Sequence, residues 1–259
     1  MTKSILLLLT IFITCGIGQA QEADKNPAMG SITTDDGFGI IKGKILFSGE
    51  PILAEIPINK DVEVCGHGKR TVRQIDVKDG VLLNAIVFLD GKYEGAKWDN
   101  TEVSDELVQE GCFFKPYVGI WKRNGEVKII SKDPAAHNIH TYERIGLNAR
   151  KDLFNFNQPE QDIRSVKIKP RRSILLELTC DNHDFMAGWR LAAENPYCTV
   201  AAKGTFELKV PAGEHTIKAW HPHLGLIEKE VEVSPGQTIQ IELTPGDEDD
   251  EDEDEEDDE

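Results

Sequence analysis

Basic residues are in short supply: 29 Lys and Arg stand against 46 Asp and Glu. Binding to nucleic acid runs on neutralising phosphates with a basic face, so that function class is excluded. Long apolar runs are also scarce. After the first twenty residues no second hydrophobic stretch follows, so no membrane span is expected in the mature chain. Helix-type periodicity is nearly absent, with only residues 103–110 suggesting a turn or two. No Ser-His-Asp, paired-carboxylate or phosphate-loop pattern stands out, which removes the commonest enzyme signatures.

The segments at the two ends differ from the rest. Lys3 followed by the apolar run Ile5–Ile13 and the small-residue site Gly18-Gln19-Ala20 reads as a secretory signal peptide cut after Ala20. A membrane anchor is the alternative, but the run is too short to span. A lipoprotein reading would use Cys15, and Thr14 is a poor residue before a lipidated cysteine. The expected location is periplasmic or secreted. Residues 247–259 are all acidic and carry 13 of the 17 net negative charges; setting aside the +1 of the signal segment, the remainder carries −5. Such a block of like charge cannot bury itself and is expected to be disordered from about residue 246 onward. It would serve to solubilise the chain, or as an electrostatic tether for a basic partner or for metal cations. Residues 21–37 read as a linker.

Between these ends lie short strand-like runs broken by turn residues. Residues 40–47, 81–89, 127–130, 165–168 and 174–178 are candidates, followed by 204–210, 215–220, 227–233 and 237–243. Pro211-Ala212-Gly213, His223-Leu224-Gly225 and Ser234-Pro235-Gly236 separate the last four. Many short strands with regular turns imply an all-β sandwich or barrel.

Four cysteines remain after Cys15 leaves, and they permit three pairings. Cys65 and Cys112 lie at strand edges with no ligand-type neighbour except His67, and are expected to pair. Cys180 has different company. Thr179-Cys180-Asp181-Asn182-His183-Asp184-Phe185-Met186 sets a thiol, an imidazole and a thioether at i, i+3 and i+6 after a strand. Upstream, Asp133-Pro134-Ala135-Ala136-His137-Asn138 follows another strand. Two histidines, one cysteine and a distant methionine form the donor set of blue-copper sites, because thiolate and thioether suit Cu(I) while imidazole suits both oxidation states. The expected site is therefore one type 1 copper ion on His137, Cys180, His183 and Met186. A Cys180–Cys198 disulfide would consume the thiolate and is the structural rival. Zinc is a weaker rival, since methionine binds it poorly. A site saturated by four ligands lacks the open position that metal catalysis needs, so no enzyme activity is expected.

These two segments resemble the cupredoxins, and the Cys-x-x-His-x-x-Met spacing resembles that of amicyanin. The resemblance implies that Asn138 ties the ligand loops together. Gly111-Cys112-Phe113-Phe114-Lys115-Pro116, Asp133-Pro134-Ala135-Ala136-His137-Asn138 and Pro196-Tyr197 are similar to exported bacterial proteins of the methylamine-utilisation-like group, over about residues 105–200. Cys198 departs from that pattern. Gly204-Thr205-Phe206 through His215-Thr216-Ile217, with Gly43–Phe47 and Asn84–Leu89, resembles the carboxypeptidase regulatory-like (transthyretin/Ig-like) sandwich. These pieces stand about 110 residues apart, too far for an ordinary loop. The expected fold is a cupredoxin-type Greek-key sandwich, residues 99–198, nested in or packed beside a discontinuous sandwich of 38–98 and 199–245. Such a protein would carry one electron for a redox partner; the alternatives are copper storage or delivery, or a metal-free module of carbohydrate-binding type. His221 and His223 are a candidate second metal site. His67, His140 and His215 read as structural or surface groups. Trp189 or Trp220 is expected to shield the copper.

Overall fold

The structure is a computed structural model and describes residues 37–99 and 102–245. The signal segment, most of the linker and the acidic tail lie outside the described residues. The described chain is all-β: twenty strands and one four-residue helix, Val62–Cys65. Among the described residues no helix is long and apolar enough to cross a membrane.

A five-stranded sheet carries the segments of interest. Its order is Ala149–Gln158, His137–Ile145, Leu175–Cys180, His183–Ala193 and Val118–Lys122. All neighbours are antiparallel except the last pair. A four-stranded sheet of Ile163–Lys167, Glu126–Ser131, Glu106–Gln109 and Phe114–Lys115 supplies the facing side chains. Leu107, Val127 and Ile129 from this sheet share one buried core with Trp121, Ile139, Leu176, Leu178 and Cys180 from the other. Alternate residues of each strand enter that core, as the period of two requires. Removing this apolar surface from water is the main force holding the sheets together.

A second core forms where Phe38–Ile45 lies between Thr205–Pro211 and Thr238–Leu243. Ile41, Ile45, Leu208, Val210 and Leu243 from these strands pack with Ala85, Val87, Ile217 and Ala219. The latter belong to the sheet Cys198–Ala201, Ala85–Leu89, Gly213–His221, Gly225–Val233. A third cluster, with Ile86, Ile120, Trp189, Leu191 and Trp220, joins this sheet to the five-stranded one.

The expected helical turns at 103–110 are absent. Glu106–Gln109 is a strand, because it pairs in parallel with Glu126–Ser131 and that ladder buries Leu107 beside Ile129 while Glu106 faces solvent. The apolar run 81–89 is divided at Asn84, whose φ of 63° turns the backbone into the left-handed region. The structure adds a hairpin of Ile52–Pro57 with Lys69–Ile75, outside the strand candidates of the sequence. Its tip and the helix beyond it place Ile56, Ile58, Val64 and Cys65 against the first core.

Candidate metal centre

Three of the four anticipated ligands meet. Leu175–Cys180 ends at the thiol and His183–Ala193 begins at the imidazole, with Asp181 and Asn182 as the turn between. Cys180 and His183 are register partners, and the next pair is Thr179 with Ala187. Asp184, Phe185 and Met186 therefore form a bulge in the strand, with Phe185 and Met186 buried in the core and Asp184 exposed. His137 opens the neighbouring strand beyond Leu175–Cys180.

The donor atoms converge. His137 Nδ1 lies 3.2 Å from His183 Nδ1, and Cys180 Sγ lies 3.5 Å from His183 Nδ1. One ligand atom from each of His137, Cys180 and His183 falls within 4.8 Å of the others. All three residues are buried, at 0%, 2% and 1% exposure. Met186 is buried in the same core beside Phe185. Cys180 keeps its thiol, so the rival bond to Cys198 does not form. Cys198 instead sits in the third cluster, with its sulfur 3.7 Å from the Asn195 carbonyl.

The outer edges of both imidazoles are held by carboxylates. His137 Nε2 lies 2.8 Å from Asp133 Oδ2, and His183 Nε2 lies 2.8 Å from Asp61 Oδ2. A carboxylate accepts only, so each Nε2 carries the proton and each Nδ1 presents a lone pair inward. Two lone pairs 3.2 Å apart repel unless a cation or a proton lies between them. A buried sulfur and two such nitrogens fit a soft or borderline metal ion. Metal-bound histidines commonly donate their other nitrogen to a carboxylate in this way.

Electrostatics follow from burial. Burial pushes the Cys180 thiol up, against N–H groups of Asn138, Asn182 and His183 that favour the thiolate. Burial lowers the basicity of His183, and the neighbouring His137 adds to this while Asp61 opposes it. Burial alone would raise the Asp133 carboxyl, but N–H bonds from Cys112 and Gly111 and the contact with His137 bring it below the usual range.

Asn138 spans the ligand segments. Its backbone N–H donates to Cys180 Sγ at 3.3 Å, and its side-chain oxygen accepts the Asp181 N–H at 3.3 Å. Its amide nitrogen donates to Asn155 and Asn157 on the adjoining strand. Cys65 and Cys112 form a disulfide.

Sequence reasoning missed the two aspartates. Asp133 carried a faint signal, four residues before His137; Asp61 carried none, since it arrives from the unforeseen hairpin region. Trp189 and Trp220 pack 6.1 Å apart in the third cluster rather than in the core that holds Cys180. Phe185, 5.5 Å from the His183 ring, fills the shielding place instead. At His221 and His223, no group of three metal-type donors forms among the described residues. His221 Nδ1 accepts the His223 backbone N–H at 3.3 Å, which is a turn contact.

No known protein family profile matches the sequence, and no curated protein does. Solved structures do match. A purple cupredoxin from Nitrosopumilus maritimus is 16% identical, with 34% of this chain and 98% of that one covered, at a TM-score of 0.28. Amicyanin from Paracoccus versutus is 12% identical, with 40% and 95% covered, at a TM-score of 0.28.

Proposed function

We propose that the protein is an exported copper protein of cupredoxin type that carries one electron at a single type 1 site. His137 Nδ1, Cys180 Sγ and His183 Nδ1 would hold the ion, with Met186, buried in the same core, as the fourth donor. The observation that carries the reading is the convergence of two lone-pair nitrogens and one thiol in a buried core. A copper ion bound there supplies a one-electron couple between Cu(II) and Cu(I). The chain's own residues do the rest. Asp133 and Asp61 fix the tautomer and tilt of the two rings, Asn138 anchors the sulfur, and Phe185 with Leu178 and Trp121 excludes water. A site held rigidly from outside changes little when the charge of the ion changes, which keeps electron transfer fast.

Copper storage or delivery is the second reading, and one observation favours it. Neither imidazole edge is open to solvent, because Asp61 covers His183 and Asp133 covers His137. The nested arrangement of two sandwiches belongs to the same proposal.

The test is to load the mature protein with Cu(II) and record its visible spectrum. An electron carrier gives intense thiolate-to-copper absorption that disappears on reduction, returns on reoxidation, and is lost in Cys180→Ser. A colourless protein that takes only Cu(I) supports storage. Intense colour that survives in Cys180→Ser overturns both assignments.

A further inference from the structure

The disulfide lies against the candidate centre, not apart from it. The sulfurs of Cys65 and Cys112 and a ring nitrogen of His183 all fall within 4.8 Å of one another, and all three residues are buried. The Cys112 sulfur is likewise within 4.8 Å of donor atoms of Asp133 and His137. Two soft donors thus stand one contact from the proposed copper ligands, masked as a bond. We propose that reduction of Cys65–Cys112 unmasks a second, sulfur-rich donor set of Cys65, Cys112 and His183 for Cu(I). The inference rests on the copper reading and gives it a redox control.

Three features support it. First, the two cysteines are held together by more than their bond. The Arg70 guanidinium donates to the carbonyls of Cys112, Cys65 and Gly111 at once. Arg70 is itself buried and stacks 3.7 Å from the Phe113 ring centre and 4.8 Å from that of Phe185. Reduction would leave the thiols side by side. Second, the bond joins the two carboxylate arms of the centre. Cys65 N–H donates to the Asp61 carbonyl, and Cys112 N–H donates to the Asp133 carboxylate. Each arm is thus tied to one sulfur of the bond, so the thiols that reduction frees stay beside both imidazole clamps. Third, the chemistry of the donors is selective: thiolates favour Cu(I) over Cu(II).

The step balances. A dithiol reductant attacks one sulfur, forms a mixed disulfide, and leaves as its own disulfide; two electrons and two protons pass to Cys65 and Cys112. Each thiol then releases its proton as its sulfur binds Cu(I). His183 belongs to both sets, so one ion moves toward the sulfurs and no second ion binds.

The experiment uses the full mature chain, oxidised or reduced with dithiothreitol and desalted without air. Cu(I) retention is titrated against a chromogenic Cu(I) chelator, and sulfur neighbours per copper are counted by X-ray absorption. Reduction should shift the competition curve to higher chelator and raise the thiolate sulfur neighbours from one, Cys180, to two, Cys65 and Cys112, at one copper per chain. The double variant Cys65→Ser with Cys112→Ser should show neither change. An unchanged curve and sulfur count in reduced wild type overturn the proposal, and need no variant to fold. Cys180→Ser separates the two readings. A gain on reduction that persists in Cys180→Ser supports the second set whatever the fate of the type 1 assignment; a missing gain alongside intact thiolate-to-copper colour in wild type overturns the second set alone.

Discussion

His137 and His183 face each other across 3.2 Å through their Nδ1 atoms, each with its far nitrogen bound to an aspartate. The aspartates turn two ordinary histidines into paired inward acceptors. Without them either ring would satisfy itself by turning over or taking up a proton. Asp133 comes from the loop before its histidine, and Asp61 from a chain segment 122 residues away from His183. The site is thus assembled by the fold and tuned from outside the ligand loop.

Asp133 is the more deeply built of the two. It accepts N–H groups from Gly111 and Cys112 at 2.6 and 2.8 Å as well as His137. Asp133→Ala leaves those buried donors without a partner, each costing roughly 1–3 kcal/mol. The variant should lose about 3 kcal/mol in denaturant unfolding and bind copper roughly 10–100-fold more weakly. Asp133→Asn keeps one acceptor oxygen and should lose less of both. Equal stability of Asp133→Ala and wild type would remove the aspartate from this role.

Much of this was legible from residue order, and the remainder fails for a physical reason. Turn residues and period-two alternation mark Thr205–Pro211, because it buries one face only. The Cys-x-x-His-x-x-Met spacing marks the hairpin that brings Cys180 opposite His183. Such signals are local. Glu106–Gln109 looked helical since its four residues are too few for alternation to show; burial of Leu107 in a parallel pairing with Glu126–Ser131 decides it. Asp61 is an exposed-looking acid beside Lys60, and nothing nearby in sequence connects it to His183. Only the pairing of Ile52–Pro57 with Lys69–Ile75 delivers it.

Asn138 should behave as a strut rather than a donor to metal. It connects the Cys180 sulfur, the Asp181 amide and the Ala149–Gln158 strand. Asn138→Ala keeps the backbone N–H to sulfur but removes the side-chain links, at about 1–3 kcal/mol. Copper should still colour the variant, with a shifted band and roughly tenfold weaker retention. Asn138→Asp restores the acceptor for Asp181 N–H but not the donor to Asn155, and should recover part of the stability. An unchanged band and affinity in Asn138→Ala would show that the loop is held without it.

His221 gives the fold a sensitivity to acid that is independent of the centre. Its ring is 3% exposed, and burial, with the charge of His223 adding to it, pushes its pKa down to about 4. In the unfolded chain the ring titrates near its ordinary value of about 6.5. Above that value both states leave it neutral and stability is unaffected. As pH falls from about 6.5 toward 4, the unfolded chain takes up a proton that the folded chain refuses, so stability drops by about 3 kcal/mol across the window and then levels off. His223, lowered mainly by burial and also by Arg144, acts in the same direction nearby. His221→Asn keeps an acceptor toward the His223 N–H and removes the titration. Comparing urea unfolding of the two proteins at pH 7, 5.5 and 4 isolates the contribution. The wild type should lose stability faster than the variant over this range, and parallel losses would mean that the buried ring is not what acid attacks.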